Sequence, residues 1–164
     1  MVKTSLAALA IVALGATAAS AGSGHPHFIK SQTSASLSGA DLVTQFKEAG
    51  LPSGAVETIT SSAIATTTYE CVNGGGHNPK ASNKTTTQTQ VHKSGQFTAD
   101  KNGNVVGSQT LSPPSASDLG FSCPPGQQVT FVAVKYTNVT ITDQTGGASI
   151  SLPGTFSYTN PSAP

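Results

Sequence analysis

The stretch from Val129 to Asp143, VTFVAVKYTNVTITD, decides the fold. Phe131, Ala133 and Lys135 alternate with Val132, Val134 and Tyr136. A period of two, filled with β-branched and aromatic side chains, is the signature of a strand. The later apolar residues, Val139 and Ile141, fall on the opposite parity to Val132 and Val134. One extra residue near Asn138, in a bulge or a crossover between sheets, would produce that switch.

Working outward toward the C-terminus, Gln144-Thr145-Gly146-Gly147 reads as a turn into a strand from Ala148 to Leu152. Pro153-Gly154 then precedes a short strand from Thr155 to Tyr158. Toward the N-terminus, Cys123-Pro124-Pro125 follows a Ser/Pro loop that begins at Pro113-Pro114. Val105 to Leu111 and Gln96 to Ala99 flank Asp100-Lys101-Asn102-Gly103-Asn104, whose Asn-Gly predicts a hairpin. Lys84 to His92 alternates polar residues with Thr and Val, as an exposed or edge strand does. The glycine-rich run from Asn73 to Pro79 is a loop. Before it, Ala55 to Thr60 and Ser62 to Val72 read as two strands, with Ala63, Ala65, Thr67, Tyr69 and Cys71 on one face of the second.

Asp41 to Glu48 is ambiguous. Ser38 followed by Asp41 has a capping-box pattern, and Leu42 and Phe46 stand four apart as on a helix. Leu42, Thr44 and Phe46 also share a face as a strand, and that reading is preferred because its surroundings are β. Thr33 to Leu37 supplies a first strand. The expected architecture is all-β: an immunoglobulin-like antiparallel β-sandwich with one disulfide, following an N-terminal signal peptide. Its divisions are residues 1–21 as signal peptide, 22–32 as a flexible arm, and 33–160 as a single sandwich domain.

The signal peptide rests on Lys3, the apolar run from Leu6 to Ala19, and the Ala19-Ser20-Ala21 cleavage pattern. A membrane-spanning anchor needs about 20 apolar residues, more than this run offers. No cysteine sits at the cleavage point, the first being Cys71, so lipidation of a mature N-terminal Cys is excluded. The expected product is secreted and extracellular, with no membrane span after cleavage. Export leads to an oxidising compartment, where two cysteines pair. The expected disulfide is Cys71–Cys123.

The charge balance restricts partners. The chain has 8 Lys+Arg and 7 Asp+Glu, and all the basic residues are lysines. Removing Lys3 leaves seven against seven. Without arginine forks or a positive surface, nucleic acid is not expected as a partner. A monomer is expected, and its partner is not legible.

Tyr69-x-Cys71 resembles the Tyr-x-Cys of immunoglobulin-type sandwiches, although there the tyrosine precedes the second cysteine and here tryptophan is absent. Tyr69–Cys71, the glycines Gly74 to Gly76, Cys123-Pro124 and the strand from Tyr136 to Thr140 together make the chain similar to small secreted bacterial β-sandwich proteins of unknown function. That resemblance implies an architecture and no activity.

Few constellations suggest chemistry. His25, His27, His77 and His92 are the metal candidates. His25-x-His27 places two imidazoles together, and a chain beginning at His25 would offer an amine and imidazole to copper. That cut lies after Gly24, a poorer site than Ala21, so solvated histidines are the preferred reading. Asp100-x-Asn102-Gly103-Asn104 resembles part of a Ca²⁺ loop but lacks its closing bidentate Glu. No G-x-S-x-G elbow and no C-x-x-C pair occurs. The seven acidic residues, scattered over the strands, offer no privileged glycosidase pair. Asn83-Lys84-Thr85 and Asn138-Val139-Thr140 match N-glycosylation acceptors. No catalytic, cofactor-binding or metal residue is therefore assigned. The expectation is a non-catalytic surface, matrix or binding module. The alternative is a secreted hydrolytic or copper enzyme whose site assembles only in three dimensions, for example from His77 or His92 beside Asp118.

Overall fold

A computed structural model describes residues 24–73 and 83–164. Among them run β1 (His27–Phe28), β2 (Ser34–Ser38), β3 (Asp41–Ala49), β4 (Val56–Asn73), β5 (Lys84–Thr98), β6 (Val105–Leu111), β7 (Gln127–Asp143), β8 (Ser149–Leu152) and β9 (Phe156–Thr159). All pairings are antiparallel. In the first sheet β3 is central, with β6 on one side and β1 and β2 in tandem on the other. In the second, β4 is central between β5 and β7, and β8 and β9 line the far side of β7 in tandem. The result is the expected all-β antiparallel sandwich of two sheets.

The core forms where the alternating faces meet. Leu42 and Phe46 of β3 and Val105 and Leu111 of β6 face Ile59, Ala63 and Ala65 of β4 and Val134, Tyr136, Val139 and Ile141 of β7. Full burial of a side chain such as Phe46 stabilises by about 1.5–3 kcal/mol. The Asp41–Ala49 segment is a strand, because only a period of two puts Leu42, Thr44 and Phe46 together in this core.

The parity switch in β7 has its expected cause. Ser62 pairs with Thr140 while Ile64 pairs with Thr137, so β7 carries one extra residue there. Asn138 takes it up with φ of 53°, in the left-handed region that asparagine tolerates better than most residues. A second offset, between Thr68 and Tyr69, inserts Val132. Its carbonyl accepts from the Asn160 amide at 2.8 Å instead of joining the β4 ladder.

Three expectations need correction. Residues 55–60 and 62–72 belong to one strand, β4. The break placed at Ser61 reflected a polar residue facing inward, and that residue is paired across the sandwich. Gln109 of β6 accepts from the Ser61 amide at 3.0 Å and its hydroxyl at 2.6 Å, and donates to the Ile59 carbonyl at 2.8 Å. Second, Asp100–Asn104 is a tight turn, but not a hairpin. Strand β5 ends in the second sheet and β6 begins in the first, so the turn carries the chain between sheets. Asp100 Oδ1 accepts from the Asn102 and Asn104 amides at 2.8 and 2.9 Å, which accounts for the turn chemistry without strand pairing. Third, residues 24–32 of the expected flexible arm are built into the fold. His27 and Phe28 pair with Ala49 and Glu48, and Lys30–Gln32 form a 3-10 turn. Phe28 supplies the reason: its ring is buried and meets Phe46 edge-to-face at 6.2 Å.

Candidate functional site

Strands β4 and β7 run past the first sheet, and this overhang is covered by the segment between β6 and β7. The expected bridge is present: Cys71 and Cys123 are joined, with Cα atoms 5.6 Å apart. Tyr69 lies beside it, donating its hydroxyl to the Pro114 carbonyl at 2.9 Å and packing against Phe121 and Phe131. Tyr69 and Cys71 thus fasten the loop to β4, a structural role for the Tyr-x-Cys pair.

The remaining sequence candidates do not converge. His25 and His27 are exposed, and the His27 Nδ1 lies 2.8 Å from the His25 carbonyl. His77 lies outside the described residues. His92 lines a shallow depression with Thr89, Val91, Thr110, Leu111 and Pro114, which contains no acid. Asp118 stands in its own loop, where it accepts from the Ser115 hydroxyl at 2.6 Å and amide at 3.0 Å. Those bonds hold its carboxyl below the usual range. Among the described residues, no three His, Cys, Asp or Glu side chains are disposed to hold a metal ion. Of the two glycosylation acceptors, Asn83 donates to Gln127 Oε1 at 3.3 Å, whereas Asn138 occupies the exposed bulge of β7.

Two features remain. The first is the edge of the second sheet. Strand β5 pairs with β4 from Lys84 to Thr98, and no strand among the described residues pairs with its other side. It contains no proline or acidic residue, and Thr85 to Val91 are all uncharged. Alternate backbone N–H and C=O groups along this edge point away from β4. The Lys84–Thr85–Thr86 end is steadied by an ion pair of 3.9 Å from Lys84 to Glu70 and by the Thr86–Thr68 hydroxyl pair at 3.0 Å.

The second feature was missed in the sequence: Glu48 of β3, Glu57 of β4 and Asp143 of β7 meet inside the sandwich, so the acids do form a privileged group. Glu48 and Asp143 are 0% exposed and Glu57 4%. The glutamates both lie within electrostatic and hydrogen-bonding reach of Asp143. No amide or hydroxyl of the described residues donates to either Glu48 oxygen or to Glu57 Oε2. Asp143 instead caps its own turn, accepting from the Thr145 and Gly146 amides at 2.9 and 2.8 Å. Burial, reinforced by Asp143 and then Glu57, pushes the Glu48 carboxyl up to about 8. Burial and Asp143 raise Glu57 as well. The signal was parity: Glu48 continues the Leu42, Thr44, Phe46 face, Glu57 the Ile59 face and Asp143 the Val139, Ile141 face.

No family model matches the chain, and no curated protein matches it. Among solved structures, the chain is similar to the solution structure of CsgH from R. palustris, at 12% identity, covering 82% of this chain and 91% of that one with a TM-score of 0.29.

Proposed function

We propose that the chain is an exported, non-catalytic binding module, of the kind met in small secreted bacterial β-sandwich proteins, and that it captures an extended, uncharged segment of a partner along β5. Export is supported by the cleavage pattern at Ala19–Ala21 and fits the closed Cys71–Cys123 bridge.

The carrying observation is that no strand among the described residues pairs with the outer side of β5. Natural sheets blunt an open edge with prolines, bulges, short strands or charged side chains, lysine above all; β5 carries Lys84 and Lys93, and the stretch between them from Thr85 to Val91 is uncharged. Here the edge is 15 residues long, with no register break against β4 and no proline. A partner strand laid along it would satisfy the outward backbone groups, the mechanism of strand addition. Threonine and glutamine on the faces of β5 favour neighbours of the same kind, through hydroxyl pairs and amide ladders. The partner expected is therefore rich in Ser, Thr, Asn and Gln.

The probe is a short synthetic peptide of alternating Thr and Gln, titrated into the isotope-labelled protein by NMR. Saturable shifts concentrated on the amides of β5 are expected. Of Gln88→Pro and Thr89→Pro, one removes an outward N–H and leaves the β4 ladder whole, since direction alternates along the strand. That folded variant should lose binding at least about tenfold, the effect of about 1.4 kcal/mol. Shifts centred away from β5, or unchanged binding by the folded variant, would overturn the reading.

A further inference from the structure

We infer that Glu48, Glu57 and Asp143 form a proton-operated latch, in which a proton held within the cluster keeps the N-terminal strap of residues 24–29 seated across this end of the sandwich. The inference is independent of the β5 reading.

Carboxylates are acceptors only, so two of them in contact need a proton between them to make a hydrogen bond. Glu48 receives no other donor. A protonated Glu48 donates its O–H to Asp143, and the same exchange serves Glu57. Among the described residues, no cation competes for that role. On β3, Lys47 lies on the opposite face from Glu48 and acts electrostatically on Asp100. From β1 the buried neighbour is Phe28, and His27 is exposed. From β6 it is Val105. From β4 and β7 the titratable groups that act on Glu48 are Glu57 and Asp143 themselves, while the inward Tyr69 and Tyr136 stand further along those strands. Asp100 and Lys101 of the neighbouring turn are exposed.

The strap touches this cluster through two routes. Phe28 stands opposite Glu48 in the β1–β3 register. Pro26 lies over the turn that Asp143 caps: a Cβ on Gly146 would meet the Pro26 ring at 3.2 Å on one side and Asp143 Oδ2 on the other. Gly146 is thus a spacer without a side chain, held between the strap and the acid. Gly24 likewise lies directly against the Gly50 backbone. The strap itself is held lightly, by two residue pairs, the Ile29 amide on the Lys47 carbonyl at 2.8 Å, and the Phe28 ring. Short elements of this kind open before the fold as a whole does.

The sign follows from the raised value of Glu48. A carboxyl whose folded value lies above its free value stabilises the closed form fully below about 4.5, and that stabilisation is lost as pH rises through about 8. Above that, adjacent buried carboxylates repel, Asp143 shifts, and the Gly146–Pro26 seat shifts with it. The strap is closed in acid and released in mild alkali.

Hydrogen–deuterium exchange of the strap in the full chain, corrected for intrinsic rates, tests this between about pH 6 and pH 9. Protection of the Ile29 amide, which bonds to the Lys47 carbonyl, should fall at least about tenfold across that range, while β4 and β7 hold theirs. Glu48→Gln supplies a permanent N–H donor and should keep the strap protected throughout. Glu57→Gln, should Glu48→Gln fail to fold, removes one of the charges that raise Glu48, so the loss of protection should shrink and be complete at lower pH. A pH-independent strap in the native chain, or an unaltered transition in the folded variants, overturns the latch. Recovery of protection at alkaline pH on adding millimolar calcium overturns it too, because the cluster would then be a cation site.

Discussion

Gln109 is predicted to be the most consequential polar side chain in the core. It is 6% exposed and makes three hydrogen bonds to β4, two to Ser61 and one to the Ile59 carbonyl. Its own carbonyl accepts from Thr44 at 3.2 Å, and Thr44 meets Ser61 at 2.8 Å, so the clasp joins β6, β3 and β4. Gln109→Leu keeps the size and strips the three side-chain bonds. At about 1 kcal/mol net for each, the loss is about 3 kcal/mol. Leaving the Ser61 amide without this partner adds roughly 1–3 kcal/mol of desolvation, and the apolar replacement returns about 1 kcal/mol. The expected net cost is about 3–5 kcal/mol, a large share of the roughly 5–15 kcal/mol of a typical domain. Urea unfolding followed by circular dichroism measures it, with an unchanged m-value as the check that the denatured state is unaffected. A Gln109→Leu and Ser61→Ala double-mutant cycle should give a coupling of at least about 1 kcal/mol. A loss below about 1 kcal/mol with the same m-value would refute the clasp, since surface-like substitutions fall in that range.

Reducing the Cys71–Cys123 bridge opens a loop of 52 residues, which chain entropy values at about 4 kcal/mol. Urea midpoints with and without reductant check this, and a difference under about 1 kcal/mol would show that the Tyr69–Pro114 fastening alone holds the overhang. Asn138→Val should destabilise by about 1–2 kcal/mol because a β-branched residue resists φ of 53°, whereas Asn138→Gly should be neutral or stabilising. Thermal melts of both variants decide it, and equal melting temperatures would mean that the bulge relaxes to another conformation.

Local chemistry was legible where one residue carried the information. The switch of parity after Tyr136 placed a bulge near Asn138 before any partner strand was known. The same kind of reading failed where the partner was distant. Ser61 looked like a break between strands because the residue that satisfies it, Gln109, lies 48 positions away and in the other sheet. Asp100–Asn104 announced a tight turn correctly. Asparagine and glycine determine how sharply the chain reverses, but not which sheet receives the next strand. Phe28 fell in a polar stretch between a signal peptide and the first expected strand, and nothing nearby revealed the Phe46 ring that holds it.

The acidic cluster shows most clearly what pattern reading leaves out. Parity alone assigns Glu48, Glu57 and Asp143 to inward faces, and three inward acids in a chain with seven is already an anomaly. What parity does not supply is height along each strand. The register supplies it: Ile59 pairs with Asp143, two residues beyond Glu57, and Glu48 pairs with Val105 at the start of β6. Those pairings bring three separate strand ends to one level. At that level no lysine of the described residues lies on the facing sides to turn the group into a buried ion-pair network. Nor do its oxygens meet backbone donors, Asp143 apart. Hydrophobic residues of similar size would pack this end at lower cost in free energy, as they do in place of many buried charges. Protons are the counter-ions the geometry does admit. A fold held together partly by protons is more secure in acid than in alkali, and the element nearest those protons is the short strand β1.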